Sequence, residues 1–394
     1  MTSQLRLSKE KGPDPLPPRV QAEVLKSVSE LLRTGRMFRY EASAADILEG
    51  DTPTGEVSRL EAEFAAYLGR RFVVAVNSCG SALFLSLKYG GLGPGMQCFT
   101  NAFTFTGVDL ADLRSKIKAH PNVKHFVLSH MRGHVNEMET ILALCKQHGI
   151  FLVDDCAHAH GATYDGKLAG SFGAPVACFS GQSMKMLNSG EGGLLATDDE
   201  RLAAFAIVGS GCFEAHYTKH ALKPRAALLE EMRYKVPCYS LRMSALTATV
   251  LRPQIALIPE KVAKYRALYG QLEKHLDSLP GVEVPKPLER VFRAPNSIQF
   301  HLLGVDKSQL DAFLKRCSQR GLSMQIFGCE GNARYYRNWH FAYKDGKAPE
   351  CPVVDKILWY AMDLRLCLFY TPKDIEIMGK IIEEEVGELQ RNKA

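Results

Sequence analysis

Four short stretches of the chain carry side chains at spacings that could do chemistry. The first is Phe179 to Gly193, FSGQSMKMLNSGEGG, where a single lysine, Lys185, lies between the end of an apolar run and a glycine cluster built around one glutamate. A lysine amine partly shielded from water has a lowered pKa and can form a Schiff base with an aldehyde. The second is the run IFLVDD, whose period-two alternation puts Phe151, Val153 and Asp155 on one side and Leu152 and Asp154 on the other. An acid at a strand's carboxyl end can hold a pyridine nitrogen protonated, although capping a loop or pairing with a lysine is an equally ordinary role. The third is Asn77-Ser78-Cys79-Gly80-Ser81-Ala82, where Gly80 permits close backbone approach and Ser81 opens a helix. Free N–H groups and a hydroxyl at a helix start form an anion site, usually for phosphate. Lysine, acid and phosphate turn together are the parts that a pyridoxal 5'-phosphate (PLP) enzyme requires. The fourth stretch, Cys156-Ala157-His158-Ala159-His160, could set three metal ligands on one side of an extended segment. That alternative predicts stoichiometric zinc and no PLP; the expectation here is PLP and no metal.

These residues need elements to position them. From Phe72 onward short apolar runs alternate with helical patterns: FVVAVNS, MQCFTNAFTF, VKHFVLSH, IFLVDD, VACFS and GGLLAT. Runs without polar alternation, separated by helices, predict a mainly parallel sheet covered on both faces, a three-layer α/β domain. Ligands of such sheets bind beyond the carboxyl ends of the strands, so Asp155 and Lys185 should face one crevice. Before this region lie a Pro-rich lead, a helical pattern from Val20 to Leu32, and an amphipathic helix from Glu56 to Leu68 closed by Gly69. After it, Met243 to Leu276 is long and helical. A smaller α+β unit then begins, with strands near VEVPKP and NSIQFHLLG and helices over Lys307 to Arg320 and Pro372 to Gln390. The expected division is residues 1–40 as arm and helix, 41–250 as the large domain and 251–394 as the small one.

Composition narrows the class. The 394 residues are 46% hydrophobic and 23% charged, ordinary for a globular chain. The net charge of +6 is spread out, which gives nucleic-acid binding little support. No run approaches the roughly 18 apolar residues of a spanning helix, and the N-terminus lacks the apolar core of a secretory signal. Eleven cysteines without CxxC pairs fit free thiols in a reducing, cytoplasmic setting.

The segment SGQSMKMLNSGEGGLLAT resembles the cofactor-lysine segment of the DegT/StrS family of aminotransferases, fold-type I PLP enzymes acting mostly on nucleotide-linked ketosugars. In that family the Schiff-base lysine lies five residues before a GEGG cluster, the interval from Lys185 to Gly190. VAVNSCGSALFLSL is similar to the family's phosphate turn and helix, FLVDDCAHAHGATYDGKLAGSFG to its Asp-x-Ala-(Gln/His) segment, and LRMSALTATVLRPQ to the start of its linking helix. The likeness runs from about Leu60 to Glu260. It implies Lys185 as covalent anchor and proton shuttle, Asp155 as pyridinium partner and His158 as a neighbour of the ring or its phenolic oxygen. It also implies Gly80, Ser81 and Ser180 as phosphate contacts and Phe105 as a stacking residue. The activity implied is transfer of an amino group from an amino acid, glutamate by analogy, to a keto sugar or related carbonyl, by a homodimer.

Three departures stand out. The family usually has a further helix and strand after the aromatic segment, whereas this chain passes from Thr106-Gly107 straight into VDLADLR, so one edge strand is expected to be missing. A new sheet edge weakens stability and invites aggregation, which leaves open a non-catalytic PLP-binding or regulatory homologue. Where the family has Asn-Tyr-Arg, with the Asn reaching the partner subunit's cofactor phosphate, the chain has Ser240-Leu241-Arg242. Ser240 can still donate a hydrogen bond over a shorter reach, and Arg242 reads equally as a carboxylate ligand or a structural ion pair. In place of a substrate His-Tyr pair the chain has Gln325-Ile326-Phe327-Gly328 and then RYYRNWH, either a changed acceptor pocket or a surface loop that packs Tyr336 and Trp339.

Overall fold

A computed structural model describes residues 5–9, 11–41, 55–102, 107–212 and 216–391. Helices α1 (Pro18–Thr34) and α2 (Glu56–Leu68) precede β1 (Phe72–Val76), α3 (Cys79–Tyr89), β2 (Phe99–Thr100) and α4 (Leu110–Ala119). Then come β3 (His125–Ser129), α5 (Met138–His148), β4 (Phe151–Asp155), a small hairpin of β5 (Thr163–Tyr164) and β6 (Lys167–Leu168), β7 (Val176–Ser180), β8 (Gly193–Thr197) and α6 (Glu200–Gly211). Helices α7 (Ala226–Arg233), α8 (Ala245–Leu251) and α9 (Ile258–Leu276) lead to β9 (Val282–Glu283), β10 (Val291–Phe292), β11 (Ser297–Leu302) and α10 (Lys307–Gln319). Strand β12 (Gln325–Ile326), α11 (Pro352–Trp359), β13 (Ala361–Arg365) and α12 (Pro372–Arg391) complete the chain.

Six strands form the central sheet in the order β1-β8-β7-β4-β3-β2. The layering follows from side-chain alternation. Val73 and Ala75 of β1 pack with Leu60 and Phe64 of α2, whereas Val74 and Val76 pack with Leu85 of α3 and Leu202 of α6. Leu152 and Val153 of β4 divide between the same two cores. Strand β8 corrects one expectation: the run GGLLAT is antiparallel to both β7 and β1, while the remaining pairs are parallel. A loop rather than a helix joins β7 to β8, so the chain turns back beside the strand it has just left. The reversal brings Gly193 level with Val76 and Ser180, at the edge where the other strands end.

Strand β2 lies outermost with β3 as its only strand partner, and among the described residues no strand lies beyond it. The stretch from Met243 to Leu276, read as one long helical segment, is broken into α8, a 3-10 turn over Arg252–Leu257 and α9. Pro253 and Pro259 each fall in a first turn, where the missing N–H costs nothing. Helix α12 opens as its sequence predicts, with Asp374 Oδ2 accepting from Thr371 N at 2.7 Å and Thr371 Oγ1 accepting from Asp374 N at 3.3 Å.

The second sheet, β12-β13-β11-β9, is wholly antiparallel. Ile298, Phe300, Met362 and Leu364 point into a core shared with Phe313 of α10 and Met378 of α12. Alternation turns Gln299, Asp363 and Arg365 to the other face, all buried. Among the described residues no helix is long and apolar enough to cross a membrane.

Candidate active site

Residues 181–192 form the loop that carries the lysine. Its base is closed by Gly181 N donating to Gly192 O at 2.8 Å and Ser183 N to Gly190 O at 3.0 Å. The carbonyls on either side of Lys185 are both gripped from outside the loop: Met184 O accepts from Arg365 Nη2 at 2.8 Å and Met186 O from Lys261 Nζ at 2.6 Å. Gln254 Nε2 donates to Asn188 O at 2.7 Å. The Lys185 amine then projects to within 2.7 Å of His158 Nε2. Burial pushes that amine down to about 8, against the pull of the Asp155 charge and with the help of Arg132.

The two acids of β4 part company as alternation predicts. Asp155 pairs in register with Ser129 of β3, and its Oδ1 accepts from Ala157 N at 3.1 Å. Cys79 Sγ, at the start of α3, lies 3.9 Å from the same oxygen. Burial raises the Asp155 carboxyl, opposed by the Ala157 amide and the Ser129 hydroxyl. Asp154 is completely buried and accepts from His130 Nε2 at 2.6 Å, while His130 Nδ1 accepts from Asn136 Nδ2 at 3.1 Å. The His130 backbone N–H donates to Asp155 O at 3.1 Å, so the inner pair braces the outer acid.

At the phosphate turn, Ser78 is the residue that caps α3, its Oγ accepting from Ser81 N at 3.1 Å, and the Ser81 hydroxyl donates to Asn77 Oδ1 at 2.6 Å. A Cβ on Gly80 would meet only Ser78 Oγ, at 3.6 Å. The tight glycine is Gly193, where a Cβ would come within 2.5 Å of Cys79 N and nearer still to the Ser78 carbonyl. The GEGG cluster therefore lets β8 pass directly beneath the turn. Ser180 is buried at the end of β7, its Oγ accepting from Gln182 N at 3.3 Å.

The run from Cys156 to His160 is a series of turns, and its three candidate ligands diverge. His158 meets Lys185, His160 Nε2 pairs with Ser180 O at 3.0 Å, and Cys156 lies with Asp154 and His130, their donor atoms within 4.8 Å of one another. Burial lowers His158 well below the usual imidazole range and His160 to about 4. Phe105 lies outside the described residues. Ser240 has a left-handed backbone, φ 58°, and its Oγ accepts from Arg242 Nη2 at 2.8 Å. Arg242 Nη1 donates to Gly211 O at 2.9 Å, so this guanidinium makes local contacts.

Sequence reasoning missed Arg132, Asp363, Arg365, Lys261 and Gln254. Arg132 follows β3 in a left-handed conformation, φ 57°, and its Nη2 donates to Asp363 Oδ2 at 2.6 Å. Asp363 also accepts from Gln299 Nε2 at 2.7 Å and Gln325 Nε2 at 2.8 Å. The run AMDLRLCLF held a signal, since acid and arginine two apart in an apolar strand mark a buried polar face. Of RYYRNWH, Tyr336 and Arg337 are tied to Asp355 and Trp339 Nε1 to Ala333 O, which is the packing role. Arg334 instead bears electrostatically on His158 and Lys185.

Residues 41–119 and 106–378 match the family model described as the DegT/DnrJ/EryC1/StrS aminotransferase family. The two stretches overlap over residues 106–119, just past the aromatic segment NAFTF. The chain is 28% identical over 349 residues to the spore coat polysaccharide biosynthesis protein SpsC of Bacillus subtilis (strain 168), covering 82% of this chain and 87% of that protein. It is 29% identical over 334 residues to the dTDP-3-amino-3,4,6-trideoxy-alpha-D-glucose transaminase of Streptomyces venezuelae, covering 77% and 80%. Among solved structures it is similar to 3-amino-5-hydroxybenzoic acid synthase, with a TM-score of 0.78 at 24% identity over 96% of this chain and 100% of that one.

Proposed function

The chain belongs to the DegT/DnrJ/EryC1/StrS aminotransferase family, whose members depend on PLP, and from that premise we propose that it moves an amino group from glutamate to a nucleotide-linked keto sugar. The observation that carries this reading is a lysine amine lowered to about 8, held by its flanking carbonyls 2.7 Å from a neutral histidine.

The residues fit PLP. The turn Asn77–Ser81 presents a capped helix start, beneath which Gly193 passes without a side chain to collide with Ser78 and Cys79, and Ser180 ends the neighbouring strand. These groups would hold the phosphate, and Asp155 the ring nitrogen. His158 Nδ1 is buried without a hydrogen-bond partner, a polar atom that a bound group can satisfy. When bound, PLP supplies the electron sink that lets an amino group leave one carbon and join another. Lys185 Nζ would hold the cofactor in the resting enzyme and then, freed by the donor, carry the proton between carbons. His158, kept neutral by burial, lies within hydrogen-bonding distance of that amine. The carboxylate of Asp155, fixed by Ala157 N, would keep the ring nitrogen charged.

Exposed Phe38, Phe84 and Leu246 support a homodimer that covers them. All eleven cysteines are free thiols, which suits the cytoplasm.

The test is the visible spectrum of the purified protein with PLP. Borohydride should fix the cofactor's mass on the peptide containing Lys185, and glutamate should bleach the band before reduction. A folded protein that shows no band, or traps PLP elsewhere, would defeat the reading.

A further inference from the structure

Around the polar face of the second sheet, Arg365 of β13 is joined by Arg132 from the turn after β3 and by Arg334 from the segment after β12, more positive charge than Asp363 of that face balances. Arg132 and Arg365 are each only 7% exposed, and the Nε of each is buried without a hydrogen-bond partner. Arg334, part-buried in the segment after β12, has its backbone N–H on Asn332 Oδ1 at 3.0 Å, while its guanidinium has no hydrogen bond or ion pair among the described residues. Against these three cations stands Asp363, whose oxygens already accept from Arg132, Gln299 and Gln325. Like charges drawn together out of water are unfavourable until an anion joins them. Their effect is felt at the site: Arg132, Arg334 and Arg365 all bear on His158, and the first two on Lys185.

We propose, resting on the transaminase reading above, that Arg132, Arg334 and Arg365 form the subsite for the α-carboxylate of the amino donor. Position decides which anion. Arg365 donates to Met184 O, the carbonyl next to Lys185 in sequence, at 2.8 Å. An anion held there lies close to the reacting carbon. An amino acid's α-carboxylate is one bond from the carbon bearing its amine, whereas a sugar ring separates a nucleotide diphosphate from the ketone. The guanidinium fork also matches a carboxylate edge with two parallel hydrogen bonds. Asp363 holds Arg132 in place through Nη2, with Gln299 oriented in turn by His134, whose Nε2 lies 2.8 Å from Gln299 Oε1. Arg242, weighed from the sequence for this task, has donors on Gly211 O and Ser240 Oγ.

Glutarate carries glutamate's two carboxylates and no amine, so it binds without reacting. Titrated calorimetrically into the PLP-loaded protein, it should bind Arg334→Gln about 10- to 100-fold more weakly than the unsubstituted chain, the loss of one charged hydrogen-bond partner. Arg132→Lys, which keeps the charge opposite Asp363 but not the fork, should lose affinity similarly. Arg334→Gln breaks no side-chain hydrogen bond or ion pair among the described residues, so it reads the subsite even if Arg132→Lys fails to fold. Unchanged glutarate affinity in Arg334→Gln overturns the proposal, as does weakened binding of pyrophosphate with glutarate unaffected, which would assign the cations to the acceptor's phosphates. A chain that captures no PLP would sink the transaminase reading, while the same titration on the unloaded protein still tests the subsite.

Discussion

The amine of Lys185 lies 2.7 Å from Nε2 of His158, and burial together with the lysine's own charge keeps that imidazole neutral. A neutral ring and an amine can share this hydrogen bond through Nε2 in either tautomer. The pair thus aims the lysine without requiring it to be charged. Since the folded amine titrates at about 8 rather than near the usual ~10.4, it is free of its proton above about pH 8. The rate of PLP capture should therefore rise with pH and level off above about 8. A rate still climbing tenfold per pH unit between 9 and 10, on stopped-flow absorbance, would mean that Lys185 is not desolvated as its surroundings indicate.

Gly193 and Gly80 make opposite predictions. Alanine at 193 would drive a Cβ into the backbone of Ser78 and Cys79, where no side-chain rotation relieves it. Gly193→Ala should cost about 1–3 kcal/mol of stability and weaken PLP binding by displacing the phosphate turn. Gly80→Ala has room in the protein alone and should unfold like the unsubstituted chain. Any loss of PLP affinity in that variant then measures how closely phosphate approaches residue 80. Paired chemical denaturation and PLP titration separate the two effects.

Much of this arrangement was legible in the chain. Strands β1, β7 and β8 are buried at every position, and such runs announce themselves without polar alternation. The direction of β8 was not legible, because an apolar run looks the same read either way and only the absence of a helix between β7 and β8 sets its sense. Lys185 and Asp155 could be singled out because a charged residue at the end of a buried strand has few structural uses. Arg132 gave no such sign: it sits in a short turn with a left-handed backbone, and its partner Asp363 is far along the chain. Lys261 falls on α9 beside Ile258, Val262 and Tyr265, where a long side chain would ordinarily reach for solvent. That it turns inward to Met186 O depends on the tertiary approach of the lysine loop.

Buried histidines should make the fold acid-sensitive well above the carboxylate range. His134 and His160 are lowered to about 4, chiefly by burial. Unfolded imidazoles bind protons near pH 6.5. Between about 6.5 and 4 the unfolded chain therefore binds more protons, and stability falls as the pH falls. Full protonation would cost about 3 kcal/mol for each of the two. Thermal unfolding should show Tm dropping steadily from pH 7 to pH 5, with a shallower slope in His134→Gln, which keeps a donor for Gln299. A slope unaltered by that substitution would assign the acid sensitivity to other groups.

Strand β2, the outermost described strand of the central sheet, predicts a coupling between two distant parts of the chain. Ala102, just past the end of β2, packs with Phe327, Tyr335, Tyr336 and Leu358, so the segment between β12 and β13 covers the end of the outermost strand. That segment is laced at one residue: Asp355 accepts from the hydroxyls of Tyr335 and Tyr336, both at 2.9 Å, and from Arg337 Nη2 at 2.6 Å. Replacing the carboxylate removes the shared acceptor and leaves two buried phenols unsatisfied, at a cost of about 1–3 kcal/mol for each. Asp355→Ala should thus raise amide exchange over residues 329–359 and, with the cover loosened, over Phe99 to Ala102 as well. An unpaired strand edge invites association, so the variant should also aggregate sooner on warming. If exchange rises in the segment alone while β2 stays protected, the sheet edge is held by β3 and Asn101, whose side chain bridges Ser129 N at 2.9 Å and Ser129 O at 3.1 Å, and needs no cover.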